Sequence, residues 1–196
     1  MISTLEQLYR NPHWWEAAGK MRGWSECLFQ HSILVADLAL ALGRESGMPE
    51  RELEVLQAAG FLHDLGKVSW PRHLAVKTSL DEADWRIIRI HPLVGAELAV
   101  EMKCSDDETV LRIIREHHEH GPNGYPLEHI DLHPLSKVIV VAEMYAAMTE
   151  ARPYRSRPLT PRNALETLSQ NGHDLRIVAA LKNVLRKDRQ NAPDFN

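Results

Sequence analysis

The chain has 196 residues, 44% of them hydrophobic and 26% charged, proportions of a globular protein rather than of a disordered or collagen-like one. That length suits one well-buried domain, since domains usually run ~100–200 residues. Twenty-three Lys and Arg against 27 Asp and Glu give a formal net charge of −4, which excludes the positive coat expected of a DNA-binding protein.

Helical periodicity with caps recurs along the chain and alternating strand patterns are almost absent, which predicts one all-α domain. Residues 1–23 read as a helical extension, 24–187 as the domain itself and 188–196 as a polar tail. A helix is predicted from about Trp24 to Ser46, with Leu34, Val35, Leu38 and Leu42 on one face and a stop at Gly47-Met48-Pro49. The next starts near Pro49, with acids in its first turn where the helix dipole favours them, and runs to Leu65-Gly66. After a loop holding Trp70-Pro71, Asp81 opens a helix through Ile90, and Pro92 starts another, leaving His91 at the break. Ser105-Asp106-Asp107-Glu108 reads as a capping box for a helix reaching His117-His118. Pro134 begins a helix that ends near Thr149, Thr160-Pro161 caps the next, and the last runs from about Asp174 to Lys187. No uncharged apolar run approaches ~18 residues, so no membrane span is expected. The first residues lack the basic start and apolar core of a signal peptide. Two cysteines, Cys27 and Cys104, form no disulfide framework and point to a reducing cytoplasm.

Eleven histidines are many for this length, and their facing matters more than their number. Val110, Ile113, Ile114, His117 and His118 stand at i, i+3, i+4, i+7 and i+8, so both histidines continue an apolar stripe and point inward. The same test places His63 and Asp64 inward after Leu56, and His31 on the face of Leu34, Val35 and Leu38. His120 falls off its stripe and should face solvent. An inward Asp64 is costly as an unpaired ion and needs a cation or a proton. One buried histidine is ordinarily a hydrogen-bonded core residue. Several, gathered from different helices around a buried acid, are explained together by a transition-metal site. Glu143, in the apolar stretch Val138-Ile139-Val140-Val141-Ala142-Glu143-Met144-Tyr145, reads as a further ligand or as the partner of an arginine such as Arg152.

The ordered set His31, Leu62-His63-Asp64-Leu65-Gly66-Lys67, His91-Pro92-Leu93-Val94-Gly95-Ala96-Glu97, His117-His118-Glu119, Gly124-Tyr125-Pro126 and Arg152-Pro153-Tyr154-Arg155 resembles the HD superfamily of metal-dependent phosphohydrolases. Within it, the likeness is to the HD-GYP branch of cyclic di-GMP phosphodiesterases. The resemblance implies a helical domain holding two divalent transition-metal ions, iron or manganese. It implies Asp64 as their bridge, His31, His63 and Glu143 on one ion, and His91, His117 and His118 on the other. Asp64 and Lys67 would be catalytic, with Lys67 beside the scissile phosphate, and Tyr125, Arg152 and Arg155 would contact a nucleotide phosphodiester. Four features depart from the family pattern. Cys27 stands where members with a third metal have a glutamate, and Glu143 and Ala146 replace aspartates, the second associated with guanine recognition. The loop His120-Gly121-Pro122-Asn123 is one residue short and lacks an Asp-Gly.

Two cations ~3.5–4 Å apart suit phosphodiester hydrolysis, because they supply a bridging hydroxide near neutral pH and offset charge on the phosphoryl oxygens. Arginine forks match phosphate oxygens, so Arg152 and Arg155, with Arg157 and Arg162 nearby, suit a second phosphate of a dinucleotide. Tyr125, between Gly124 and Pro126, suits base stacking or a cover over the core. Trp14, Trp15 and Trp24 read as packing residues or a partner surface. His13, His73, His129, His133 and His173 are assigned to no metal, though His73 and His129 are placed to line a cleft. A cyclic-dinucleotide phosphodiesterase is the leading reading. The alternatives are a non-cleaving module that binds a nucleotide or protein partner, and a general HD nucleotide phosphohydrolase. Regulatory input would come from a separate sensor or signalling protein.

Overall fold

The computed structural model describes residues 2–75, 77, 79–120, 124–127, 131–151 and 157–191. Among them are ten helices: α1 Thr4–Arg10, α2 Pro12–Trp24, α3 Glu26–Glu45, α4 Glu50–Leu62, α5 Glu82–Arg89, α6 His91–Glu101, α7 Glu108–Glu116, α8 Pro134–Thr149, α9 Pro161–Gln170 and α10 Leu175–Asn191. Two short 3₁₀ turns, Leu65–Ser69 and Arg72–Ala75, lie between α4 and α5. No strand occurs among the described residues, as the periodicity predicts.

The fold is built around α3. Its apolar residues spread beyond a single stripe, and Leu28, Phe29, Val35, Leu38, Ala39 and Leu42 are all buried. A helix apolar on most of its circumference is covered on several sides: α2, α4, α8 and α10 all pack against it. By length and hydropathy α3 would pass as a membrane span, but 67% of that stretch is buried inside the bundle. The core continues through Leu56, Phe61 and Leu62 of α4, Ile113 and Ile114 of α7 and Val138–Ala142 of α8. Leu8, Trp14, Ala17, Ala18 and Met21 of α1 and α2 join the same core, and Trp14 stacks on Phe61 at 4.9 Å. Trp15 is exposed and Trp24 half-buried, its Nε1 donating to the Trp70 carbonyl.

Several ends differ from the sequence reading. The α7 cap is Asp107, whose side chain accepts from Thr109 N and Val110 N, whereas Ser105 Oγ accepts from Asp107 N. Asp107 takes the position because it also pairs with Arg51 of α4, a contact across the fold. Helix α4 stops at Leu62, so His63 caps it and Asp64 lies beyond it. The chain then tightens into the Leu65–Ser69 turn, which packs on α6. That packing depends on Gly66. A Cβ there would stand 2.1 Å from the His91 carbonyl oxygen and 2.7 Å from Gly95 N, so only glycine lets the two backbones approach so closely.

Candidate metal centre

Three helices end at one place, and each carries a histidine there. His63 caps α4, His91 follows the end of α5, and His117 caps α7. In each case Nδ1 lies against the carbonyl three residues earlier: His63 on Gly60 at 2.7 Å, His91 on Ile88 at 2.7 Å and His117 on Ile114 at 2.6 Å. A helix C-terminus leaves such carbonyls without the usual i+4 donor, so the imidazoles supply one; the Ile88 carbonyl also accepts from Ile90 N. A carbonyl only accepts, hence each Nδ1 carries a proton, and in the neutral ring Nε2 is then the lone pair that can serve as a metal donor. His31 reaches the same tautomer another way, with Nδ1 2.7 Å from Glu150 Oε2.

All four Nε2 atoms face the Asp64 carboxylate. His91 and His117 stand 3.1 and 3.7 Å from Oδ1, and His63 and His31 stand 3.4 and 4.0 Å from Oδ2. His91 Nε2 is also only 3.1 Å from His117 Nε2. Two lone pairs and a carboxylate oxygen at such separations repel unless a cation lies among them. A proton on His91 does not meet that need at neutral pH: burial drives its pKa down to about 4, against the pull of Asp64. His63 Nε2 and Asp64 Oδ1 are buried with no hydrogen-bond partner among the described residues, atoms of the kind a metal ion satisfies. Burial would raise the Asp64 pKa, but the Lys67 ammonium, 2.5 Å from Oδ2, outweighs it, so the carboxyl is held well below its ordinary value and is ionised. The C-termini of α4 and α7 add negative partial charge there, while at His91 the end of α5 meets the start of α6, whose dipole opposes it. The donor set therefore fits divalent ions. Ligand atoms lie within 4.8 Å of one another in two groups sharing Asp64, one with His91, His117 and His118 and the other with His31 and His63.

Other residues singled out by the sequence lie around this cluster. His118 is half-buried, its pKa pushed well down by burial and then by His117 and His91. Glu143 is buried in α8 but belongs to neither group, and its Oε1 lies 3.9 Å from His118 Nε2. Tyr125 stacks on the His118 ring, with centroids 4.6 Å apart and planes at 27°. Its loop is held by Tyr125 N donating to the His118 carbonyl and Leu127 N to the buried Glu119 carboxylate. Ala146 is fully buried in the apolar core and Cys27 is exposed. Arg152, Arg155, His129 and loop residues Gly121, Pro122 and Asn123 lie outside the described residues. His120 is a correction: it is half-buried, between His118 and His173 with ring centroids 6.4 and 6.0 Å away, because α7 ends at Glu116 and its periodicity no longer sets the facing of residue 120. Two residues near the site escaped the sequence reading. Trp70 sets its ring edge-on to His91 at 5.4 Å with Lys67 Nζ 5.5 Å away, and Glu150 meets His31. Only contacts across the fold reveal them.

Comparison with known proteins agrees with this geometry. The sequence profile described as "HD domain" matches residues 17–181. The chain belongs to the HD domain family. A cyclic di-GMP phosphodiesterase of Pseudomonas aeruginosa is 28% identical over 171 residues, 84% of this chain and 40% of that protein. A 3′3′-cGAMP-specific phosphodiesterase of Vibrio cholerae is 31% identical over 135 residues, 67% of this chain and 31% of that one. This HD domain chain thus spans less than half the length of either curated relative. Its fold matches an HDGYP protein of Bdellovibrio bacteriovorus with a TM-score of 0.60 at 24% identity, covering 80% of this chain and 51% of that one. Divalent metal binding is the property that family membership and the His/Asp cluster support together.

Proposed function

We propose that this HD domain is a metal-dependent phosphodiesterase that opens a cyclic dinucleotide of the cyclic di-GMP kind. The observation that carries the reading is the convergence of four imidazole lone pairs on the buried, ionised Asp64. We assign two ions, iron or manganese, with Asp64 shared between them. His31, His63 and Glu143 would hold one, and His91, His117 and His118 the other; Glu143 lies with its Oε1 3.9 Å from His118 Nε2. Bound divalent ions lower the pKa of coordinated water to about 7 and offset charge on the phosphoryl oxygens. The chain's own groups do the rest. Lys67 holds its ammonium beside Asp64, where it can also reach a phosphate oxygen. Tyr125, fixed on His118, offers a ring at the mouth of the site. Arg152 and Arg155 are assigned to the second phosphate. In the reaction one water oxygen bonds to phosphorus, one P–O ester bond breaks, and the released oxygen leaves as a hydroxyl. The catalytic unit is assigned to residues 24–187, with 1–23 as an extension and 188–196 as a tail. Free Cys27 and Cys104 suit a reducing cytoplasm, with input from a separate sensor or signalling protein.

The buried Ala146 presents no polar group to a base, which supports testing guanine and mixed-base ligands side by side. Protein loaded anaerobically with Mn²⁺ or Fe²⁺ is incubated with cyclic di-GMP and 3′3′-cGAMP, and linear product is followed chromatographically. Turnover is expected from the native chain and none from Asp64→Ala. Equal inactivity of both across a panel of phosphoesters overturns the reading. Tight calorimetric binding of intact ligand without product would make the chain a binding module.

A further inference from the structure

His63, His91 and His117 stand at helix ends and borrow a carbonyl that the helix has left over. His31 cannot do this. It lies within α3, five residues after Glu26, where the carbonyls of the preceding turn are already taken by the helix ladder. Its Nδ1–H therefore needs an acceptor from elsewhere, and the chain supplies one 119 positions away. Helix α8 stops at Thr149, and Glu150 leaves it in an extended conformation, φ −80° and ψ 144°. This turn aims its carboxylate at the buried imidazole, with Oε2 2.7 Å from Nδ1.

We infer that Glu150 is a positioning residue for the metal centre, fixing the tautomer and azimuth of His31 so that its Nε2 lone pair faces Asp64. The inference rests on the metal-site reading above. A carboxylate only accepts, so it commits the proton to Nδ1 and leaves Nε2, 4.0 Å from Asp64 Oδ2, as the donor to an ion. It also differs in kind from the other three anchors. They are neutral carbonyls, whereas Glu150 carries a full negative charge, which raises the basicity of the imidazole it holds. An ion held by His31, His63 and Asp64 would accordingly meet one imidazole backed by a carboxylate, which neither His91 nor His117 is. The role assigned to Glu150 at the centre is carried through its contact with His31.

Calorimetric titration of the full chain with Mn²⁺ tests this. The native protein is expected to show two binding events. Glu150→Leu should weaken one of them about 10–100-fold, the usual effect of losing such an outer partner, and leave the other unchanged. Glu150→Gln keeps an accepting oxygen without the charge and should fall between. In metal-free protein labelled with ¹⁵N-histidine, the His31 Nδ1–H proton is expected far downfield, moving upfield in Glu150→Gln and further in Glu150→Leu. Native affinity at both sites in Glu150→Leu overturns the inference while the metal reading stands. So does equal weakening of both events, which marks a general structural role. If Glu150→Leu fails to fold, an unshifted His31 resonance in Glu150→Gln overturns it instead. A native chain that takes up no ion overturns both this inference and the metal reading.

Discussion

Replacing Gly66 by alanine is the sharpest structural test of how the centre is held together. Gly66 stands between Asp64 and Lys67, and its backbone lies directly on the first turn of α6, which begins at His91. The added Cβ would be 2.1 Å from the His91 carbonyl oxygen, where ordinary contact begins at about 3.5 Å. Both atoms that meet there belong to fixed positions, one on the new side chain's root and one on the backbone, so no rotamer relieves the clash. The Leu65–Ser69 turn and α6 must separate by about 1.4 Å to restore that contact, and the Asp64–His91 distance of 3.1 Å opens with them. Overpacking of this kind costs about 1–3 kcal/mol, and a displacement of about 1 Å at a reacting centre costs about 10²-fold in rate. Gly95→Ala is the internal control. Its Cβ would meet Gly66 N at 3.1 Å and Ile114 Cγ2 at 3.4 Å, a strain of a few tenths of an ångström. Urea unfolding, metal content and turnover should all rank native, then Gly95→Ala, then Gly66→Ala. A Gly66→Ala protein with native stability, full metal content and native turnover would refute the claim that this backbone contact sets the geometry.

The charges give two further expectations. In chelator-treated protein His91 stays neutral down to about pH 4, because burial disfavours its cation, while an unfolded imidazole gains its proton near 6.5. The unfolded chain binds the extra proton between those values, so stability is full above pH 6.5 and falls as pH drops to about 4, by about 3 kcal/mol in all. Urea midpoints measured across that range should show the slope, and His91→Phe should make it shallower, with buried His118 supplying part of what remains; a flat native profile is the contrary result. Lys67→Met removes the ammonium 2.5 Å from the fully buried Asp64 carboxylate. Breaking such a pair costs about 3–5 kcal/mol, toward the lower end here because Lys67 still reaches solvent. Saturating Mn²⁺ should restore much of that loss, and native stability of the metal-free variant would count against the pairing.

Much of the site was legible in the residues themselves. The periodicity that puts His117 on the stripe of Val110, Ile113 and Ile114 carries through the helical cap at His117, and His118, just past the helix end, joins the same group. The break at His91 was readable from Pro92, whereas Asp64 is buried although it lies beyond the end of α4, where the periodicity used to place it no longer holds. What periodicity cannot carry is where a helix stops in response to tertiary contacts. Asp107 displaces Ser105 as a cap because Arg51 reaches it from another helix, and His120 is half-buried because α7 has already ended. Glu150 and Trp70 were missed because their partners, His31 and His91, are set by packing between helices. Glu143 was legible as a buried acid, but not as the neighbour of His118.

The way each ring is pinned has a consequence for how the protein acquires its ions. In small zinc modules the metal assembles its own ligands, and the chain folds only on loading. Here the imidazoles are held by main-chain oxygens and one distant carboxylate, inside a bundle with a large apolar interior. The bundle is therefore expected to stay folded when a chelator strips the centre, and which first-row ion returns should depend on ligand type, geometry and supply together.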